Sequence, residues 1–440
     1  MSVSTHPPSG FRDFIKDEAR RRFELMEKIS SVYKSFGFEA IETPAFENLD
    51  VLLGSGGGDE NEKLLFKVLK RGDKLKDALA SRPTEEGVAD FGLRFDLTVP
   101  LSRVVAQYRG EIQLPWKVFH MGPVWRAERS QKGRYREFVQ CDVDIVGAKT
   151  CAAEVEVVHA VVSAVSSVGA EGFELRLNDR RILQAFGDKH GMTEAEFLKF
   201  AIILDKKDKV EILELQSEMK TLLGAKFHTE MEGLLRGDLN LDALATVHPA
   251  GVSDLKRMME MLKDLKLPLS AITFDSSLVR GIGYYTGPVF ELRHSSAGYS
   301  FGGGGRYDRL IGRFMKESLP ACGFSIGFER LALLLKEKEE SKLSSTIFIP
   351  VFDESLRSTV LKIAQEIRAA GMAVDVYSDE AKLKTQFKYA SEMKRRWVLI
   401  CGQDELNSRR YKIKDFESGG EEEVPSSNLV SSLRSKLGLS

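Results

Sequence analysis

Cysteine is scarce in this chain. Its 440 residues include four, Cys141, Cys151, Cys322 and Cys401, and they are widely scattered. None forms a C-x-x-C pair, and no histidine stands at zinc-ligand spacing from one. A disulfide scaffold and a cysteine-bound zinc are therefore excluded. The expectation is reduced core thiols in a cytoplasmic protein with no protein-ligated metal. A long apolar run is also lacking. The least polar stretch, "VVHAVVSAVSSVGA" at 157–170, is too short to cross a bilayer and predicts a buried helix. The opening "MSVSTHPPSGFRDF" has neither an apolar signal core nor an Arg-rich amphipathic leader, so no membrane partner is expected. Excess charge is lacking too. Lys and Arg number 64 against 65 Asp and Glu, a formal net charge of −1. That balance leaves nucleic acid open, because a local basic groove can sit on a neutral protein. No G-x-x-x-x-G-K-[ST] phosphate loop occurs, and "FGGGGRYD" at 301–308 does not fit G-x-G-x-x-G. Its glycines predict close backbone approach to a substrate instead.

What is present reads as a soluble globular protein long enough for about three domains. Residues 14–36 carry a helical pattern, and strand character follows around Ile41. "GSGGGDENEK" at 54–63 predicts a mobile loop. Residues 91–146 read as several strands with turns, and 152–168 as a helix. From about 180 to 265 good helix formers dominate, with Leu and Ile at helical spacing, which predicts a mostly helical insertion. Strand character returns at 272–328, and "GFERLALLLKEKEE" reads as a helix running into a charged linker. Beyond it the order strand, helix, strand, helix, strand predicts a small α/β domain with a largely parallel sheet.

The stretch "WRAERSQKGRYREFVQCDVD" at 125–144 is densely charged inside what otherwise reads as a sheet. Side chains alternate across a strand. Phe138, Gln140, Asp142 and Asp144 then share one face, and Val139, Cys141, Val143 and Ile145 the other. Arg126 and Glu128 share a face opposite Met121 and Trp125, with a hairpin loop centred on Gly133 between the two strands. "LRFDLTVP" places Arg94, Asp96 and Thr98 opposite Leu93, Phe95 and Leu97. This alternation fits the wet outer face of an antiparallel sheet. It fits equally a pocket in which arginines hold phosphate and carboxylates hold cationic or N–H groups.

"GPVWRAERSQKGRYREFVQCDVDIVG" closely resembles the second signature motif of class II aminoacyl-tRNA synthetases, in the form seen in histidyl-tRNA synthetases. Three other stretches agree in order and spacing. "GFEAIETPAFE" resembles the first motif, with Pro44 as its proline. "LVRGIGYYTGPVFEL" resembles the histidine-specific motif, and "GFSIGFERLALL" the third motif. Residues 345–440 resemble the anticodon-binding domain, where Lys382, Lys384 and Lys388 form a basic helical face. The resemblance covers nearly the whole chain. It implies an α+β catalytic domain with an antiparallel sheet, built from residues 1–178 and 266–337. A helical insertion at 179–265 interrupts it, and a C-terminal α/β anticodon-binding domain follows at 345–440.

The activity implied is ATP-dependent activation of L-histidine to the adenylate, then transfer to the 3′ end of tRNA(His). ATP enters as substrate with Mg2+, and the enzyme is a homodimer with Ile41, Pro44 and Phe46 near its interface. By the same resemblance Arg126 and Arg280 contact the α-phosphate, Arg280 from the other side, in the place of a metal ion. Glu128 holds the adenine amino group. Arg134 takes the distal phosphates, and Arg330 stacks on adenine and reaches the γ-phosphate. Asp96, Leu97, Thr98 and Gln140 surround the α-amino group. Asp144, Tyr284, Tyr285 and Tyr307 surround the imidazole, which offers one N–H donor and one acceptor. Gln131 and Arg136 in the hairpin loop meet the tRNA acceptor end. Two departures stand out: Gly283 replaces an acidic residue usual in the histidine motif, and Ser130 a usual proline. The alternative is a synthetase-like, histidine-sensing regulatory subunit of ATP phosphoribosyltransferase without aminoacylation. A tRNA-sensing module of a larger kinase is a further one. Such relatives erode the arginines or lose the tRNA-binding tail, and this chain keeps both.

Overall fold

The computed structural model describes residues 3–53, 59–81, 84, 87–129, 133–207, 210–281, 283–336 and 345–439. The chain divides into two compact units, Met1–Glu337 and Lys338–Ser440.

The first unit is organised by the alternation seen at 137–146. In chain order its strands are β1 (Glu39–Ile41), β2 (Phe46–Asn48), β3 (Lys67–Leu69), β4 (Ala89–Leu93), β5 (Trp116–Trp125) and β6 (Glu137–Val146). β7 (Phe173–Asp179), β8 (Ala271–Phe274), β9 (Pro288–His294), β10 (Ser300–Arg306) and β11 (Ala321–Gly327) complete it. Eight of them make one sheet in the order β1-β5-β6-β11-β10-β9-β7-β8. Its centre is antiparallel, while the edge pairs β1–β5 and β7–β8 are parallel. Cys141, Val143 and Ile145 turn to a core shared with the helices Lys16–Ser35 and Ala152–Ser167. Val157, Val158, Val161 and Val165 of the second helix are buried there, each adding roughly 1.5–3 kcal/mol. The other face of the sheet stays open at its middle, which leaves room for a site.

Between β7 and β8 the chain is helical, as the composition predicts. Thr193 starts the helix Glu194–Asp205 with a capping box. Its hydroxyl accepts from Glu196 N at 3.3 Å while Glu196 accepts from Thr193 N at 2.7 Å. Phe197, Leu215, Met231 and Leu255 from this region belong to the same hydrophobic core as the sheet.

Three expectations need correction. The stretch 54–63 is not all loop, because Asp59–Leu64 is helical; its residues 54–58 lie outside those described. "LRFDLTVP" is not a strand: β4 ends at Leu93, and after four irregular residues the helix Thr98–Gln107 begins. Asp96 explains the switch, since its Oδ1 accepts from Val99 N at 3.1 Å in the first turn. Cys151 is only half-buried, while Cys141, Cys322 and Cys401 are buried; all four are free.

The second unit holds β12 (Ile347–Ile349), β13 (Val374–Val376), β14 (Trp397–Ile400), β15 (Arg410–Asp415) and β16 (Glu421–Pro425), in the order β13-β12-β14-β15-β16. Its first three strands are parallel, as the alternation with the helices Arg357–Ala369 and Leu383–Glu392 requires. β15 and β16 add an antiparallel hairpin that the sequence reading did not place. Lys382, Lys384 and Lys388 are all exposed, and Lys388 lies 3.6 Å from Glu392.

Candidate active site

A cavity of about 370 Å³ opens on the uncovered face of the large sheet, over β6, β10 and β11. Phe138, Gln140, Asp142 and Asp144 all line it, so the polar side of the alternation is a pocket and not a wet outer surface. The strand's other face packs into the core, which fixes the register.

One end of the cavity is acidic and closed. Asp144 is 3% exposed, and the Tyr307 hydroxyl donates to its Oδ1 at 2.6 Å. Gly323 stands opposite Asp144 in the ladder, and a Cβ there would lie 1.8 Å from that oxygen. Burial pushes the Asp144 carboxyl up to about 7 against the opposing bond from Tyr307. Asp96 lies at the start of the helix Thr98–Gln107, and burial raises it to about 6. Thr98, Tyr284 and Tyr285 complete this end, the two tyrosine rings 4.4 Å apart.

The other end is cationic. Arg126 follows β5 directly, and its Nε donates to Phe95 O at 3.0 Å. Arg280 comes from the β8–β9 connection and donates to Glu291 at 2.6 Å and Ser300 Oγ at 3.1 Å. A Cβ on Gly303 would sit 2.3 Å from the Arg280 Cζ, so the guanidinium lies directly on β10. The glycines of "FGGGG" thus make room for an arginine and for neighbouring backbone, where the sequence suggested room for substrate. Arg330 lies over Tyr299, its Cζ 5.1 Å from the ring centroid. Burial, then the nearby guanidiniums of Arg134 and Arg280, pull its pKa down. Arg134 pairs with Glu128 at 3.0 Å. Arginines crowded this closely call for a polyanion.

Asp96, Thr98, Arg126, Glu128, Arg134 and Gln140 therefore line one cavity with Asp144, Arg280, Tyr284, Tyr285, Tyr307 and Arg330. Leu97 does not join them: it is 1% exposed and is not among the cavity-lining residues. Arg94, placed by alternation beside Asp96, is diverted; its guanidinium donates to Thr43 O at 2.6 Å and Pro123 O at 3.0 Å. Arg136 does not extend from the hairpin tip. It braces the base, donating to Glu128 O at 3.1 Å and Ser9 O at 3.4 Å. Gln131 and Ser130 lie outside the described residues. Gly283 is exposed and is not among the cavity-lining residues.

Asp142, Ser325 and Glu329 also line the cavity, and the sequence reading assigned them no role. Parity with Gln140 and Asp144 was the available signal for Asp142. Among the described residues one other group has metal-capable donors, His190, His228 and Glu230, with ligand atoms within 4.8 Å of one another. Protein contacts account for it. Glu230 takes Lys189 at 2.8 Å and His190 at 3.1 Å, and His228 Nδ1 accepts from Glu230 N at 3.3 Å.

Comparison with known proteins agrees with this geometry. Residues 10–331 match the family "Histidyl-tRNA synthetase", and residues 345–436 match "Anticodon binding domain". The histidine–tRNA ligase of Leifsonia xyli is 41% identical over 392 residues, covering 85% of this chain and 90% of the relative. That of Christiangramia forsetii is 33% identical, covering 99% and 100%. The crystal structure of histidyl-tRNA synthetase from Nostoc sp. PCC 7120 superposes with a TM-score of 0.82 at 26% identity, covering 99% of this chain and 100% of that one. A Bacillus halodurans structure titled as an ATP phosphoribosyltransferase regulatory subunit/histidyl-tRNA synthetase shares the fold, at 21% identity and a TM-score of 0.74. With three of its four motifs lining one two-ended cavity, the chain belongs to the histidyl-tRNA synthetase family of aminoacyl-tRNA ligases.

Proposed function

We propose that this cavity binds L-histidine at its acidic end and MgATP at its arginine end, forms histidyl-adenylate, and passes histidine to tRNA(His). The observation that carries the reading is the polarity of the cavity, with buried carboxylates and tyrosines at one end and four arginines at the other. Asp144, held by Tyr307, accepts the imidazole N–H, with Tyr284 and Tyr285 alongside. Asp96, Thr98 and Gln140 take the ammonium. The substrate carboxylate then points at the arginines. It is ionised near neutral pH and needs no general base. Attack on the α-phosphorus forms the acyl–phosphate bond and expels pyrophosphate. Positioning and charge neutralisation by Arg126 and Arg280 supply the catalysis.

Arg134 pairs with Glu128, and ATP exchanges that contact for one to its phosphates and one to its adenine amino group. Glu329 gives both oxygens to protein donors, Arg22 at 2.6 Å and Val139 N at 3.1 Å. We therefore assign Mg2+ to the nucleotide's own phosphates, entering as part of the substrate. No helix among the described residues is long and apolar enough to cross a membrane, and the four free cysteines suit the cytoplasm. A homodimer through the face carrying Phe46 is part of the same reading.

The test is ATP–pyrophosphate exchange across the twenty amino acids, followed by charging of purified tRNA. Exchange with histidine alone, and charging of tRNA(His), are the expected results. Histidine binding without exchange would favour a sensor over a ligase.

A further inference from the structure

We propose that Asp142 is a further acceptor for the substrate's α-ammonium, beside Asp96, Thr98 and Gln140, and so a specificity-determining residue of the cavity. This rests on the histidine reading above and adds a residue to it.

β6 carries Gln140, Asp142 and Asp144 on one face, and all three line the cavity floor. Their hydrogen bonding is unequal. Asp144 is engaged by Tyr307 at 2.6 Å. Gln140 spends its amide nitrogen on Ser325 Oγ at 2.6 Å, and its Oε1 has no partner among the described residues. Asp142 Oδ1 has none either. The two residues are 8% and 2% exposed. Two buried acceptor atoms thus sit side by side on one strand face without a donor among the described residues, an arrangement that costs stability until a ligand meets it. An ammonium carries three N–H donors on one atom and can meet both while also reaching Asp96.

The charge around Asp142 asks for a cation. Across the ladder it faces His120 on β5 and Ser325 on β11. Burial and the neighbouring Arg94 push His120 down to about 3, so this imidazole is neutral. Asp144 and Asp96 add negative charge nearby. The cations in range are Arg94 and Arg126. Arg94 is committed to the Thr43 and Pro123 carbonyls, and Arg126 to Phe95 O. Burial first, then Asp144, pushes the Asp142 carboxyl well above its ordinary range, against an opposing hydrogen bond with Ser325. A bound ammonium reverses that imbalance, whereas a neutral group does not.

The experiment compares two histidine analogues. Histidinol keeps the ammonium and lacks the carboxylate; imidazolepropionate keeps the carboxylate and lacks the ammonium. Dissociation constants are measured by calorimetry for the wild-type protein, Asp142→Asn and Asp142→Ser. Asp142→Asn should weaken histidinol about tenfold or more and leave imidazolepropionate within about twofold, since a charged hydrogen bond outweighs a neutral one. In pyrophosphate exchange the KM for histidine should rise by a similar factor, with kcat within about threefold. Equal weakening of both analogues would mean that Asp142 only supports the sheet toward His120 and Ser325, and the proposal fails. Unchanged histidinol binding overturns it too. Should the Asn variant not fold, Asp142→Ser decides: it should weaken histidinol selectively, and an equal effect on both analogues refutes the assignment. A wild-type protein that binds neither analogue would sink the histidine reading itself, and this inference with it.

Discussion

Arg280 shows how a single side chain is made ready for its role. Glu291 and Ser300 hold it from one side, and the missing Cβ of Gly303 lets it lie on the strand. Arg280→Ala should lower pyrophosphate exchange by about 30-fold or more, the loss of about 2–4 kcal/mol expected for a preorganised charge contact. Glu291 keeps Arg293 at 3.7 Å, so circular dichroism should show the fold intact. Asp144 makes the opposite case, a residue that costs stability for function. Its ordinary pKa is near 4 and its folded value is about 7. Between those values the folded state binds more protons than the unfolded state. The associated stability is therefore full below pH 4 and is lost as pH rises through 7, on the order of 4 kcal/mol. Asp144→Asn should raise the melting temperature of the ligand-free protein at pH 8 by about 2 °C or more and give no gain at pH 4, by scanning calorimetry. The same variant should lose histidine activation.

At the scale of elements, the hairpin joining β5 to β6 divides its labour by position. Arg134 pairs with Glu128 at the cavity, whereas Arg136 ties the hairpin base to the N-terminal segment. Arg134→Ala should raise the KM for ATP in exchange by roughly tenfold, as a lost phosphate contact does. Arg136→Ala should slow exchange and transfer to tRNA together, because it loosens the whole hairpin. Exchange and single-turnover transfer assays separate these outcomes, and an Arg136→Ala protein with normal exchange would show that the brace is dispensable. β10 offers the second element-level test. Gly303→Ala should cut exchange nearly as much as losing Arg280, because a methyl group 2.3 Å from the Cζ forces the guanidinium off the strand.

At the scale of the molecule, the small sheet β2-β4-β3 presents apolar surface that the described residues leave exposed. Phe46 pairs with Leu93, two residues from Phe91, so the side chains share a face. Phe46 is 55% exposed and Phe91 46%. A second copy covering this face would make a stable dimer, which needs more than about 2,000 Å² of buried surface for an obligate pair. Sedimentation at micromolar concentration should find a dimer. Phe46→Glu with Phe91→Glu should yield monomer, and an unchanged dimer would place the interface elsewhere.

Local patterns determined much of this in advance. Period-two alternation at 138–145 is a property of consecutive residues, and it told the core face of β6 from the cavity face. The helical insertion and the parallel strands of the second unit were legible for the same reason, whereas the motif arginines were picked out by resemblance to a family. What tertiary structure decided is where long side chains go once several partners compete. Arg94 obeys the alternation in sequence, yet it is claimed by carbonyls 51 and 29 residues away. Arg136 is likewise drawn to Ser9, 127 residues away. The end of β4 at Leu93, and with it the burial of Leu97, depended on Asp96 meeting the first turn of a helix, a contact that strand periodicity does not register. Asp142 was visible as a polar position but not as an unmet one. A missing hydrogen bond is a fact about every neighbour at once, and only the assembled β5, β6 and β11 reveal it.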